Sequence, residues 1–142
     1  MKLEKEDSKG YMEGDVEEAL CFYVRMRSMR VTAESLAGLA LVLANDGVSP
    51  ENGRRLLRVQ TVKVVKNIML ACGMYDGSGE FAVCVGVPSK SGVGGGLIAV
   101  VDGRMGIGIV APSLDTKGNS IASLKYLSNE MGFHMFGKRY DC

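Results

Sequence analysis

A chain of 142 residues with 46% hydrophobic content is long enough to bury one core and too short for two ordinary domains, so one globular unit is expected. Its 17 Lys and Arg stand against 16 Asp and Glu. That balance makes no electrostatic case for nucleic acid or an anionic membrane and leaves a small, near-neutral partner as the expectation. The four cysteines, Cys21, Cys72, Cys84 and Cys142, show no C-x-x-C spacing and have a single histidine, His134, to join them; no metal site is expected. There is no signal peptide and no apolar run near the roughly 20 residues a bilayer requires. The sequence therefore reads as cytoplasmic, with free thiols in a reducing compartment and with Cys72 and Cys84 serving as small core hydrophobes.

In chain order, residues 1–13 are charged, sparse in apolar side chains and without a period, which predicts a frayed or disordered lead-in. Asp15 and Glu18 form a capping-box pattern that starts a helix to about Met29, with Val16, Ala19, Leu20, Tyr23 and Val24 on one apolar stripe. Spacing alone makes Tyr23 a core aromatic whose hydroxyl finds a partner. Thr32 caps a second helix, Ala33 to Ala44, apolar almost all round and so expected to be buried on most sides. A third helix, from Arg54 or Val59 to Cys72, carries Val62, Val65, Met69 and Cys72 inward before Gly73 stops it.

At Gly73 the pattern changes. Residues 74–79 form a turn-rich connection, and Phe81 to Val87 alternates large and small apolar residues as a strand does. Leu97 to Val101 and Met105 to Ala111 are two more strands joined through Asp102-Gly103, a strong hairpin signal. The expected result is a three-stranded antiparallel meander. In its last strand Ile107 and Ile109 alternate with Gly106 and Gly108, leaving one face flat enough for a helix to approach closely. After a loop, Asn119 or Ser120 caps a final helix bearing Ile121, Leu124, Leu127 and Met131, which stops near Gly132. The tail beyond it reads as polar and mobile. The class is α+β: three N-terminal helices, the meander and a C-terminal helix.

Three places carry candidate chemistry. Lys90-Ser91-Gly92, leading into Gly94, Gly95 and Gly96, puts a cation, a hydroxyl and exposed backbone N–H groups in one turn, as a carboxylate or an oxyanion requires. The order is wrong for a P-loop, whose lysine follows its glycines, and no helix follows as a dinucleotide site needs. A plain β-turn with a bulge and a solvated lysine explains the same residues. Tyr75, in an irregular segment, either acts as a proton-transfer group near a lysine or plugs the sheet edge. His134 has no neighbour that implies a role and reads as a surface or tail residue.

Cys72-Gly-Met-Tyr-Asp-Gly-Ser-Gly-Glu-Phe-Ala82 followed by Val85-Gly-Val-Pro-Ser-Lys-Ser-Gly-Val-Gly-Gly-Gly-Leu97 closely resembles the C-terminal half of the serine-dependent glutaminases, enzymes of the β-lactamase/transpeptidase fold. Glu13 to Glu18 with Phe22-Tyr23, Val31-Thr32, Leu43 to Asn45 with Gly47, Pro112, Leu114-Asp115 and Gly118 to Ser120 extend the resemblance. It makes residues 14–142 the C-terminal part of a glutaminase domain. It implies hydrolysis of L-glutamine to L-glutamate and ammonia through a serine acyl-enzyme, with no cofactor. The nucleophile of that family sits in an S-x-x-K motif whose lysine helps deprotonate it. By the resemblance Tyr75 is the active-site tyrosine, Tyr23 a second substrate-contacting tyrosine, Val93 the backbone position serving the amide and the oxyanion, and Lys90-Ser91-Gly92 the K-[ST]-G element.

None of the eleven serines has a lysine three positions on. The family's chain is longer, and its first half supplies the nucleophile, so this sequence is expected to be a truncated glutaminase. Two readings follow. Either the chain is functional only when another chain supplies the S-x-x-K half, or it is an inactive remnant, a glutamine-binding module or an interaction domain; a homo-oligomer or an association with the missing N-terminal half is the expected assembly. For the isolated polypeptide the second reading is the physical expectation, since an acyl-enzyme needs an activated hydroxyl.

Overall fold

The computed structural model describes residues 14–111, 113–117 and 121–137. Its elements are α1 (Val16–Arg27), α2 (Ala33–Ala44), α3 (Val59–Cys72), a 3₁₀ turn (Tyr75–Gly77), α4 (Ser78–Cys84), β1 (Ser89–Ser91), β2 (Gly96–Val101), β3 (Met105–Val110) and α5 (Ala122–Met131). They divide into two compact units, Met1–Val31 and Thr32–Cys142, rather than the single unit expected. The lead-in, the caps at Asn119 and Ser120, and the last five residues lie outside the described residues.

In the first unit the Asp15 carboxylate accepts from the Glu17 N–H at 2.8 Å and starts α1, as a cap should. None of the helix's residues is buried. Tyr23 is therefore not the core aromatic that spacing implied: the Arg27 guanidinium lies 5.1 Å from its ring centroid and donates to its hydroxyl at 2.6 Å.

In the second unit the Thr32 hydroxyl accepts from the Ser35 N–H at 3.1 Å, and α2 runs over the expected residues. The sheet order is β1-β2-β3, antiparallel throughout, with Ser91 opposite Leu97 and Val101 opposite Met105. Leu97, Ala99 and Val101 with Ile107 and Ile109 pack under α4 and α5, against Phe81, Val85 and Leu124. Ile98 and Val100, on the opposite face, pack against Ala40, Leu43, Val62 and Met69 of α2 and α3. The sheet is thus the middle of three layers.

The flat face of β3 takes a helix backbone directly. A Cβ at Gly106 would sit 2.1 Å from the Leu41 nitrogen, and one at Gly108 would sit 2.1 Å from the Ala33 carbonyl oxygen. No side chain larger than hydrogen fits at that distance. The Gly103 N–H completes the contact by donating to the Ala44 carbonyl at the end of α2, at 3.0 Å. Lys66 on α3 reaches the same hairpin through Asp102 at 2.8 Å, with Asp46 at 3.5 Å.

Several expectations are corrected. Phe81 to Val87 is not a strand: it is the end of α4 and the turn after it. Its large-small alternation also fits one helical face, since Ser78, Phe81 and Val85 recur at helical spacing and are all buried. The first strand of the meander is instead the short β1. Leu39 on α2 stays exposed, so that helix buries one side, not most of them. Cys72 faces outward, its thiol donating to the Ile68 carbonyl at 3.2 Å. Cys84 is half-buried against the core and disulfide-bonded, whereas Cys21 and Cys72 are free, so the described cysteines are not all the free thiols expected. The described part of the tail is docked: Phe133 is buried and the Met135 N–H donates to the Gly86 carbonyl at 3.0 Å. Among the described residues no helix is long and apolar enough to cross a membrane.

Gly106→Ala is expected to cost at least about 1–3 kcal/mol by forcing α2 off the sheet. Gly38→Ala, on the same helix with no heavy atom within 4 Å of the added methyl, should gain about 0.5–1 kcal/mol through helix propensity. Urea midpoints of the two variants check this; equal and small effects would contradict the close packing described.

Candidate active site

Gly73 joins the end of α3 to β1. A Cβ there would lie 1.8 Å from the Ser89 carbonyl oxygen, and the Gly73 carbonyl accepts from the Ser91 N–H at 3.1 Å. β1 is therefore fastened along its outer side to the segment that carries Tyr75. Tyr75 itself has φ +51, a left-handed conformation that costs a side-chain-bearing residue about 1–3 kcal/mol. Ser78 holds it there. Its hydroxyl accepts from the Met74 N–H at 3.0 Å and donates to the Tyr75 carbonyl at 2.7 Å.

Strand alternation decides what β1 offers. Ser89 and Ser91 point into the core and Lys90 points out. The lysine and serine expected side by side in an exposed turn are thus on a strand, on opposite faces. Ser91 is 2% exposed. The Lys90 ammonium lies 4.5 Å from the Tyr75 ring centroid and also donates to the Ser91 carbonyl. Sequence reasoning placed Tyr75 and Lys90 in one site, and the fold brings them into contact. The Tyr75 ring is 39% exposed, so it is no plug over the sheet edge.

The glycine run closes the β1–β2 hairpin. Gly92 N–H donates to the Gly96 carbonyl at 2.8 Å, and Gly95 N–H to the Gly92 carbonyl at 2.9 Å. Those two donors are spent on the turn. Among the described residues the N–H groups of Val93 and Gly94, at its tip, donate to no backbone carbonyl, and Val93 is 67% exposed. Tyr23 lies on α1, in the other unit. His134 is not a plain surface residue: its ring packs on Gly86, Nδ1 accepts from the Phe136 N–H at 3.2 Å and Nε2 bonds the Val83 carbonyl at 2.8 Å. It clasps the docked tail to α4.

Sequence reading missed Ser78 as the support of Tyr75, although a serine three residues after a turn residue is a known turn-closing signal. It also missed a cavity of ≈ 210 Å³ beside the 3₁₀ turn, lined by Met74, Phe81 and Ile121 with Glu80 and Lys117. The Lys117 ammonium, 2.5 Å from Glu80, hydrogen-bonds its carboxylate and holds it below the usual range. Nothing in the sequence pairs those two residues. Among the described residues no three His, Cys, Asp or Glu side chains are grouped to hold a metal ion.

A family model described as Glutaminase matches residues 5–136. The chain belongs to the glutaminase family. It is 52% identical over 130 residues to a glutaminase of Clostridium tetani, covering 89% of this chain and 42% of that protein. Glutaminase 2 of Clostridium perfringens is 50% identical over 132 residues, covering 91% of this chain and 43% of its own. The chain therefore spans less than half the length of these curated glutaminases. Among solved structures, the Bacillus subtilis glutaminase YbgJ in covalent complex with 5-oxo-L-norleucine superposes with a TM-score of 0.87 at 37% identity, covering 92% of this chain and 48% of that one. These glutaminase neighbours bear out the expected α+β class, part of a β-lactamase-like fold.

Ser78→Ala removes both hydrogen bonds of the Ser78 hydroxyl, from the Met74 N–H and to the Tyr75 carbonyl, and the loss is expected to be about 1–3 kcal/mol. A urea midpoint unchanged by the substitution would show that the Tyr75 turn is held by something other than Ser78.

Proposed function

We propose that this chain is the C-terminal portion of a glutaminase domain, residues 14–142, and supplies one wall of a site that hydrolyses L-glutamine to L-glutamate and ammonia. The serine nucleophile, with its S-x-x-K lysine, belongs to polypeptide outside these 142 residues, on the same chain or on an associated one. In the proposed reaction that serine oxygen attacks the side-chain amide carbon. The carbon–nitrogen bond of the tetrahedral intermediate then breaks and ammonia leaves with the proton it needs. Water afterwards attacks the acyl-enzyme and returns the serine hydroxyl. No cofactor enters these steps.

The residues here take the parts their positions allow. Tyr75 contacts substrate and passes a proton to or from the leaving nitrogen, an effect worth about 10²–10⁴ in rate for a well-placed group. Val93, whose N–H is not spent on the hairpin, serves the amide oxygen as it becomes an oxyanion; one such donor is worth about 10²–10³. For Tyr23 a substrate-contacting role rests on the family resemblance alone. Lys90, Ser91 and Gly92 support the wall, Ser91 from inside the core. The observation that carries the reading is the tyrosine–lysine contact on a strand ending in open N–H donors, in a chain of this family. Support for covalent chemistry comes from the relative's complex with 5-oxo-L-norleucine.

A second reading, an inactive remnant or glutamine-binding module, is favoured by the missing S-x-x-K and by the burial of Ser91. Ammonia release separates the two. The purified chain alone should release none from glutamine above buffer. Mixed with a polypeptide carrying the S-x-x-K half of a glutaminase, it should gain activity that Tyr75→Phe lowers by at least about a hundredfold. Turnover by the chain alone would place the nucleophile within it. Glutamine binding by the chain, with no activity on mixing, would favour the binding module.

A further inference from the structure

We propose that Lys90 is the positioning residue for the Tyr75 phenol, its ammonium holding the ring by the face. The catalytic half of this inference rests on the proposed function; the structural half rests on geometry alone.

Little else orients that ring. Tyr75 has a backbone conformation that side-chain-bearing residues rarely adopt, and its ring is partly exposed, so neither local preference nor close packing fixes it. Ser78 bonds its carbonyl, not its side chain. Among the described residues the Tyr75 hydroxyl has no hydrogen-bond partner, which leaves it available to a substrate, and the ring's partner is Lys90. A cation at 4.5 Å from the centroid is within the range where the ring's negative face attracts it.

Lys90 is suited to the task by what surrounds it. Strand alternation sends it outward from β1, and the Ser91-to-Gly73 bond fixes that strand against the Tyr75 segment. Its ammonium is further tethered by the Ser91 carbonyl. Among the described residues no carboxylate pairs with it, so its charge is not neutralised and is spent on the ring. The lysine is therefore held at its base and at its tip, while the tyrosine is held by the lysine.

The test uses the 142-residue chain and its mixture with an S-x-x-K half. In the chain alone, Lys90 ε-methylene protons should be displaced upfield by the ring and show nuclear Overhauser contacts to Tyr75 ring protons, both lost in Tyr75→Leu. A double-mutant cycle of Lys90→Met with Tyr75→Leu should give a coupling of about two- to fivefold in the unfolding equilibrium constant. Absence of both signals overturns the proposal, whatever the activity. In the reconstituted enzyme, Lys90→Met should lower kcat more than it changes KM, Lys90→Arg should restore most of the loss, and Lys90→Met should add little in a Tyr75→Phe background. An equal further loss in that background would mean that Lys90 acts independently of Tyr75, which also overturns the proposal. If no mixture is active, the proposed function fails while the chain-alone signals still decide the contact.

Discussion

Backbone passes against backbone at Gly73, Gly106 and Gly108, and the second unit is arranged by those approaches. At Gly106 and Gly108 they set α2 flat on the sheet, so that Ile98 and Val100 close over Val62 and Met69 instead of meeting water. At Gly73 the approach fastens β1 to the end of α3. A methyl group at any of the three would need a neighbouring main chain to move, which is why hydrophobic burial alone does not specify the arrangement. Burial supplies the drive, and absent side chains decide the fit.

The candidate site inherits its geometry from the Gly73 contact. With β1 held there, Lys90 comes over Tyr75 and the hairpin tip presents Val93 and Gly94 beyond it. The energies are closely matched. A left-handed Tyr75 costs about 1–3 kcal/mol; each Ser78 hydrogen bond returns about 0.5–1.5 kcal/mol, and the ammonium on the ring about 0.5–1 kcal/mol. No single contact offsets the strain, so the turn depends on all of them together. A conformation kept by several small contacts is what a site-forming segment needs, since it leaves the phenol oriented without burying it.

Much of this was legible in the residues themselves. Thr32 and the apolar run after it located α2, and Asp102-Gly103 located the β2–β3 hairpin, because caps and tight turns are decided within a few residues. The glycine alternation of β3 announced a close-packed helix correctly, though not which helix. The failures share a cause. Phe81 to Val87 alternates in a way that satisfies both a strand and one face of a short helix, and only the core chose between them. Cys72 sits on an apolar helix yet faces outward, because the side of α3 that meets the sheet is set by Val62 and Met69. Their adjacency makes Lys90 and Ser91 look like one exposed pair, yet a strand of three residues turns them to opposite faces. The resemblance implies that Tyr75 and Lys90 belong to one site, but not that they touch; the clasp of His134 and the pairing of Glu80 with Lys117 depend on residues far apart in the chain.

The central claim is that this chain contributes a wall to a glutaminase site but not its nucleophile. Reaction with 6-diazo-5-oxo-L-norleucine, followed by intact-mass measurement of each polypeptide, tests it directly. The account predicts no adduct on the 142-residue chain, alone or mixed with an S-x-x-K half, and an adduct on the other half that forms only when both are present. An adduct on this chain, at Ser91 or any other serine, would contradict it.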